Sequence, residues 1–283
     1  MKVILSRKGF DSEYGGYPSP ILPDGRMISL PIPLPDDYIC YSEVFLNQTK
    51  TYFDLMMELK PKIRYKNIGS KKSVWHLLEK STKCHLDPDI YPDAIHREEG
   101  WRPLFGQDEK AQKHLDKQRV AKEDVFLFFG WFRRTKWLNG KLHFDRTDKG
   151  KHIIFGYFQI GDILPVNGTS AKWMSYHPHI VQPRKNINNT IYMAKEFLSW
   201  DSGLPGAGTF LFNDSLVLTK PGYSRSKWQL PEYFKDVAIS YHDQNSWKDG
   251  YFQSSPIGQE FVINDNWQVE EWAKQLVRIN MKR

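Results

Sequence analysis

The chain has 283 residues, 40% of them hydrophobic and 26% charged, with a formal net charge of +7. That is enough sequence to bury a real core, and the even mixing of charged and apolar residues excludes a disordered tail. No apolar run approaches the ~20 residues of a membrane-spanning helix. Residues 1–8 lack the apolar stretch of a secretory signal, so the expected location is the cytoplasm. The two cysteines, Cys40 and Cys84, are too few for a disulfide framework or a cysteine zinc site. Ten Trp, 14 Tyr and 17 Phe accompany the basic excess. Cations hold phosphates and aromatic faces hold bases, so a nucleic acid is the partner this composition suits.

In chain order, residues 3–5 read as a buried strand. It ends in Ser6, Arg7 and Lys8, and Asp11 follows the turn opened by Gly9. A strand that delivers cations, a hydroxyl and a carboxylate to a glycine-containing loop fits an anion or nucleotide site. A solvated hairpin end is the plainer reading of the same residues. A hairpin turning at Pro23-Asp24-Gly25 comes next. Tyr52, Leu55, Met56 and Leu59 recur at helical spacing, which predicts a helix over 50–60 stopped by Pro61. Residues 61–72 are basic and poor in apolar anchors. They predict an exposed loop whose Arg64, Lys66 and Lys71 could meet phosphates.

Trp75, Leu77 and Leu78 predict another short helix, and 84–92 an irregular segment. Residues 107–118 form an expected amphipathic helix with Ala111 and Leu115 inward. Residues 125–132 are a continuous apolar run, hence a buried strand. Strands are expected at 143–145 and 152–160 around a turn at 148–150, and again at 209–213 and 215–219. A last helix carries Val269, Trp272, Ala273, Leu276 and Val277 on one face, capped by Asn264 or Asp265. The expected class is α+β, mostly antiparallel with peripheral helices, in one compact domain over 1–283.

Several stretches carry a likeness. They are Ser6-Arg-Lys-Gly-Phe-Asp-Ser12, Gly15-Gly-Tyr-Pro-Ser-Pro-Ile21, His85-Leu-Asp-Pro-Asp89, Phe128-Phe-Gly-Trp-Phe132, Phe155-Gly-Tyr-Phe-Gln-Ile-Gly-Asp162 and Gly206-Ala-Gly-Thr-Phe210. Together they resemble the bacterial and phage family called nucleotide modification associated domain 3. The resemblance implies a setting in DNA-base modification, not a particular reaction. The helix–strand–strand order of 107–162 also resembles the PUA-like group with its EVE, ASCH and YTH modules. That likeness implies a β-barrel core around 107–220, elaborated by N- and C-terminal segments, that holds an extruded or modified base.

The site residues follow. Arg7 and Asp11, with Asp87 and Asp89, could converge on a sugar-phosphate, a carboxylate acting on water or sugar while arginine clamps phosphate. Ser6, Lys8, Trp131, Phe132, Tyr157, Arg225 and Trp228 are base- or nucleotide-binding candidates. Arg64, Lys66, Lys71, Arg133 and Arg134 are phosphate contacts. His143 and Asp145, with His177 and His179 sharing a strand face and Arg184 downstream, are the one metal-ligating alternative; no cofactor is otherwise expected.

Three functions are open: base or sugar transfer, exchange or N-glycosidic cleavage on a modified or extruded base; a non-catalytic reader working with a partner nuclease or transferase of a modification or restriction system; and a non-haem iron oxygenase. An enzyme should place titratable groups in the pocket, whereas a reader needs only stacking faces and a basic rim. No serine-hydrolase elbow, Walker loop or Rossmann fingerprint is present.

Overall fold

The structure is a computed structural model describing residues 1–12, 15–66, 74–166, 171–181 and 188–281. The first strand, β1 (Val3–Arg7), forms where expected, and its apolar residues are fully buried. β2 (Ser19–Ile21) leads into the turn at Pro23-Asp24-Gly25, where Leu22 N donates to Arg26 O at 2.8 Å. β3 (Ile32–Pro33) follows. α1 (Tyr52–Leu59) is capped by Thr51, whose hydroxyl accepts from Asp54 N, and it buries Tyr52, Leu55, Met56 and Leu59.

β4 (Arg64–Lys66) pairs antiparallel with β5 (Trp75–Leu77). The helix expected at Trp75 is therefore a strand. Trp75 and Leu77 repeat at period two and share one exposed face, while Leu78 is buried beyond the strand's end. β6 (Cys84–His85) pairs with β3. β7 (Leu104–Gln107) runs into α2 (Glu109–Lys117).

β8 (Val125–Leu138) is the sheet's axis. Its first six residues are buried on both faces, which is why they read as one unbroken apolar run. β9 (Lys141–Phe144) folds back on its far end, and β10 (Lys151–Pro165) pairs along its length. α3 (Pro178–Val181), β11 (Thr190–Ala194), β12 (Ala207–Thr209), β13 (Glu260–Ile263) and α4 (Trp267–Met281) complete the named elements.

No strand forms at 215–219. Asn213 Oδ1 accepts from Ser215 N at 3.0 Å and turns the chain into a 3-10 turn, leaving single bridges at Val217 and Thr219. α4 is capped one residue later than expected, by Asn266, whose Oδ1 accepts from Gln268 N (2.9 Å) and Val269 N (3.1 Å).

Among the described residues the large sheet has nine strands in the order β13-β1-β8-β10-β11-β7, with β9 and β2 on β8 and β12 on β10. β1 and β2 run parallel to β8; the other pairings are antiparallel. The expected mixed class with mostly antiparallel strands holds, but the expected barrel does not. The end strands β13 and β7 do not pair. Their outer edges meet single residues instead, Ile239 beside β13 and Asp89 beside β7. Across the opening they touch through side chains, Gln107 donating to Glu260.

Phe105, Phe126, Phe128, Phe129 and Phe155 fill one core, with Phe105 and Phe126 edge-on at 4.8 Å between centroids. Phe10, Tyr41, Tyr52 and Leu55 belong to a second core that also takes in the other buried residues of α1.

Candidate active-site pocket

A cavity of about 470 Å³ lies where the sheet is open, between the C-terminal end of β7 and the chain leading into β13. Four segments form most of its wall, with Ile32, Leu34 and His179 also lining it. The first is the end of β1. Arg7 N donates to Gln259 O and Lys8 N to Phe129 O, both at 2.8 Å, so backbone fixes the strand's exit. At Gly9, with φ +77°, the chain turns so closely past Ser29 that a Cβ would sit 2.5 Å from its hydroxyl. That turn brings Asp11 to the same cavity as Arg7 and Lys8.

The second wall is β6 and its exit, His85 and Asp87. The third runs from Gly106 to Glu109 at the start of α2. Glu109 has a φ of +48°, a left-handed backbone that costs a side-chain-bearing residue about 1–2 kcal/mol and that must be held by its surroundings. The fourth wall is residues 256–259. Arg7 supports it, its guanidinium donating to Ser255 O at 2.5 Å and Pro256 O at 3.3 Å over the rings of Phe129 and Phe261.

His85, Asp87 and His179 each bring one ligating atom to within 4.8 Å of the others. Both rings are fixed from behind. His85 Nδ1 pairs with Asp37 Oδ2 at 2.8 Å, and His179 Nδ1 with Asn189 Oδ1 at 2.9 Å. Asp87 Oδ1 accepts from Gly106 N at 2.7 Å and lies 3.4 Å from His177 Nε2. Burial alone would raise the Asp87 carboxyl. The imidazoles of His177 and His179 and the charge of Lys8 outweigh that and hold it well below the ordinary carboxylate range, so it stays an anion. Gly106 is needed for closeness: a Cβ there would lie 2.3 Å from His179 Cδ2.

Beneath the cavity sits a buried network. Glu260 accepts from Lys8 Nζ at 3.1 Å, from Ser6 Oγ at 3.3 Å and from Gln107, with Lys8 Nζ 4.3 Å above the Phe105 ring. Glu260 is only 1% exposed, so its charge is matched by Lys8 rather than by water. Among the described residues, the lining includes the cations Arg7 and Lys8 and the carboxylates Asp11, Asp87, Asp108 and Glu109.

A family model described as nucleotide modification associated domain 3 matches residues 2–264. The chain belongs to that family. No curated protein and no solved structure matches it.

Within this nucleotide modification associated domain, the expected residues divide sharply. Arg7, Lys8, Asp11 and Asp87 meet in one cavity, although 76 positions separate Asp11 from Asp87. Ser6 lies just beneath it. Asp89 does not reach it: it is fully buried and takes two hydrogen bonds from Arg97 (2.6 and 2.7 Å) and one from the Tyr176 hydroxyl (2.6 Å). Phe132, Tyr157 and Trp228 are core residues, each at most 1% exposed. Trp131 is partly covered by the Arg225 guanidinium, 4.1 Å from its ring, and Arg225 also donates to Ser12.

Of the phosphate candidates, Arg64, Lys66, Arg133 and Arg134 are not among the residues lining the pocket. Arg64 and Lys66 are on β4, with Lys66 over Trp75. On β8, Arg133 donates twice to Asp145 O, while Arg134 is exposed beside Phe212. Lys71 and Arg184 fall outside the described residues.

His177 and His179 lie at α3, not on a strand, and His143 and Asp145 are not their partners. The histidine that reasoning from sequence missed is His85. Its signal was present: His85-Leu-Asp87 has the same i, i+2 pattern as His143-Phe-Asp145. Asp37, Asn189 and Glu260 left no local signal, because their role exists only once distant strands meet.

Proposed function

We propose that this chain binds a nucleotide unit, of DNA or derived from it, in the pocket at the end of β1, and alters it chemically. The observation that carries this reading is the meeting of Arg7, Lys8 and Asp11 with His85, Asp87 and His179 in one cavity. Cations that can take a phosphate then stand beside groups that can move a proton or attack a sugar or base. The size is right for a nucleotide unit, since small-ligand pockets run about 300–1,000 Å³.

The reader alternative is less well supported. Stacking needs ring faces, and among the described residues no Phe, Tyr or Trp lines this cavity. A base clasped between aromatic rings, as in a PUA-like reader, would need a second surface. Trp131 with Arg225 is the candidate that remains for it. Exposed Arg64, Lys66 and Arg134 would hold the rest of a DNA strand through its phosphates, and a partner enzyme of a modification system would complete the pathway.

The test is a titration of the full chain with a deoxynucleoside monophosphate and with a short single-stranded oligonucleotide, followed by mass analysis of the recovered nucleosides. The expected result is saturable binding and a changed nucleoside mass. Asp11→Asn should keep binding and lose the mass change, because it deletes charge while keeping shape. Recovery of unaltered nucleosides despite tight binding would return the reading to a reader. Absence of binding to both probes would contradict it altogether.

A further inference from the structure

On one side of the pocket two imidazoles and a carboxylate converge, each offering one ligating atom. We propose that His85, Asp87 and His179 bind one divalent transition-metal ion, of the zinc, iron(II) or manganese class. Bound there, the ion would polarise a phosphate or sugar oxygen, and that role alone rests on the nucleotide reading.

The donor set favours that class of metal. Two imidazoles with one carboxylate suit first-row transition ions, whereas magnesium and calcium take oxygen ligands. The spacing is close. Metal–ligand bonds of about 2.1 Å place ligating atoms roughly 3.5 Å apart in a tetrahedral site, and these three lie within 4.8 Å before any ion draws them in. The remaining positions would face the cavity, where a ligand could occupy them.

The surroundings supply an independent argument. Metal-binding histidines hand their second nitrogen to a carboxylate or carbonyl behind the ring. Here both do so, His85 to the 2%-exposed Asp37 and His179 to the 3%-exposed Asn189. That leaves Nε2 of each ring as the ligating atom. Asp87 is oriented by the Gly106 N–H. His177, wholly buried, has an Nε2 with no hydrogen bond among the described residues, and it is aimed at Asp87 from 3.4 Å.

The experiment takes the full chain, strips it with a chelator and dialyses it separately against Zn²⁺, Mn²⁺, anaerobic Fe²⁺ and Mg²⁺. Bound metal is counted by mass spectrometry, with a thermal melt alongside. The expected result is about one transition ion per chain, a raised melting temperature and no retained Mg²⁺. Asp87→Asn and His179→Gln should each weaken binding by about tenfold or more. Circular dichroism checks the fold, and His85→Gln replaces any variant that fails to fold. Retention of none of the three transition ions overturns the proposal, as does undiminished binding in every folded variant. A parallel titration with a deoxynucleoside monophosphate separates the two claims. Metal bound without nucleotide retires the nucleotide reading and leaves the metal site standing; nucleotide bound by a chain that takes no metal does the reverse.

Discussion

At the scale of single residues, Arg7 and Asp11 part company. From sequence, Arg7 is a cation at a strand's end that could clamp a phosphate. The structure gives it a second task, because its guanidinium ties down the carbonyls of Ser255 and Pro256 and so shapes a wall of the pocket. Arg7→Ala leaves those carbonyls without their donor. It should cost about 1–3 kcal/mol in a denaturant melt and weaken ligand binding as well. Arg7→Lys should recover only part of either, since an ammonium cannot reproduce the guanidinium fork. A melt unchanged by Arg7→Ala would mean that the wall does not depend on it. What was legible here was the residue type at a strand's end. What was not legible was its partner, 248 positions away.

At the scale of elements, regular pieces with strong local periodicity were readable: β1, α1, α2, the buried half of β8 and α4 stand where their patterns put them. The misreadings have two causes. Trp75 and Leu77 took strand geometry because β4 was there to pair, whereas at 215–219 a local cap was missed, Asn213 accepting from Ser215 N. The barrel expectation failed for the first of these reasons: closure is a property of two end strands that no local window contains. Gly106 shows how an element positions the site. It sits one residue before the end of β7, against the His179 ring, with no space for a methyl group. Gly106→Ala should push that ring away, costing about 1–3 kcal/mol through overpacking and weakening whatever the His85–Asp87–His179 cluster binds. Paired melts and binding titrations check this. Intact binding would show that His179 is not needed in its present place.

At the scale of the whole molecule, the buried histidine His152 makes stability sensitive to acid. It lies in the core beside Trp228, which donates to its Nδ1 at 3.0 Å. Burial, reinforced by the charges of Arg7 and Arg225, holds its folded pKa well below the ordinary 6.5. The unfolded chain therefore takes up a proton near pH 6.5 that the folded chain refuses. Stability should fall as pH drops below about 6.5, by up to about 1.4 kcal/mol per unit for this one group, until the folded pKa is reached. His152→Gln should flatten that part of the profile, whatever its effect on stability at pH 7. An unchanged slope would show that other groups carry it. At the same scale, the +7 charge and the exposed cations predict that binding to a DNA strand weakens steeply with added salt.

The central claim is that the opening between β7 and β13 is where a nucleotide is held. The most direct measurement is a crystal structure of the full chain grown with a deoxynucleotide. The account predicts its phosphate beside Arg7 and Lys8, and its sugar or base toward His85, Asp87 and His179. Density for the nucleotide at the Trp131–Arg225 pair or on the β4–β5 hairpin, with this pocket holding only solvent, would contradict it.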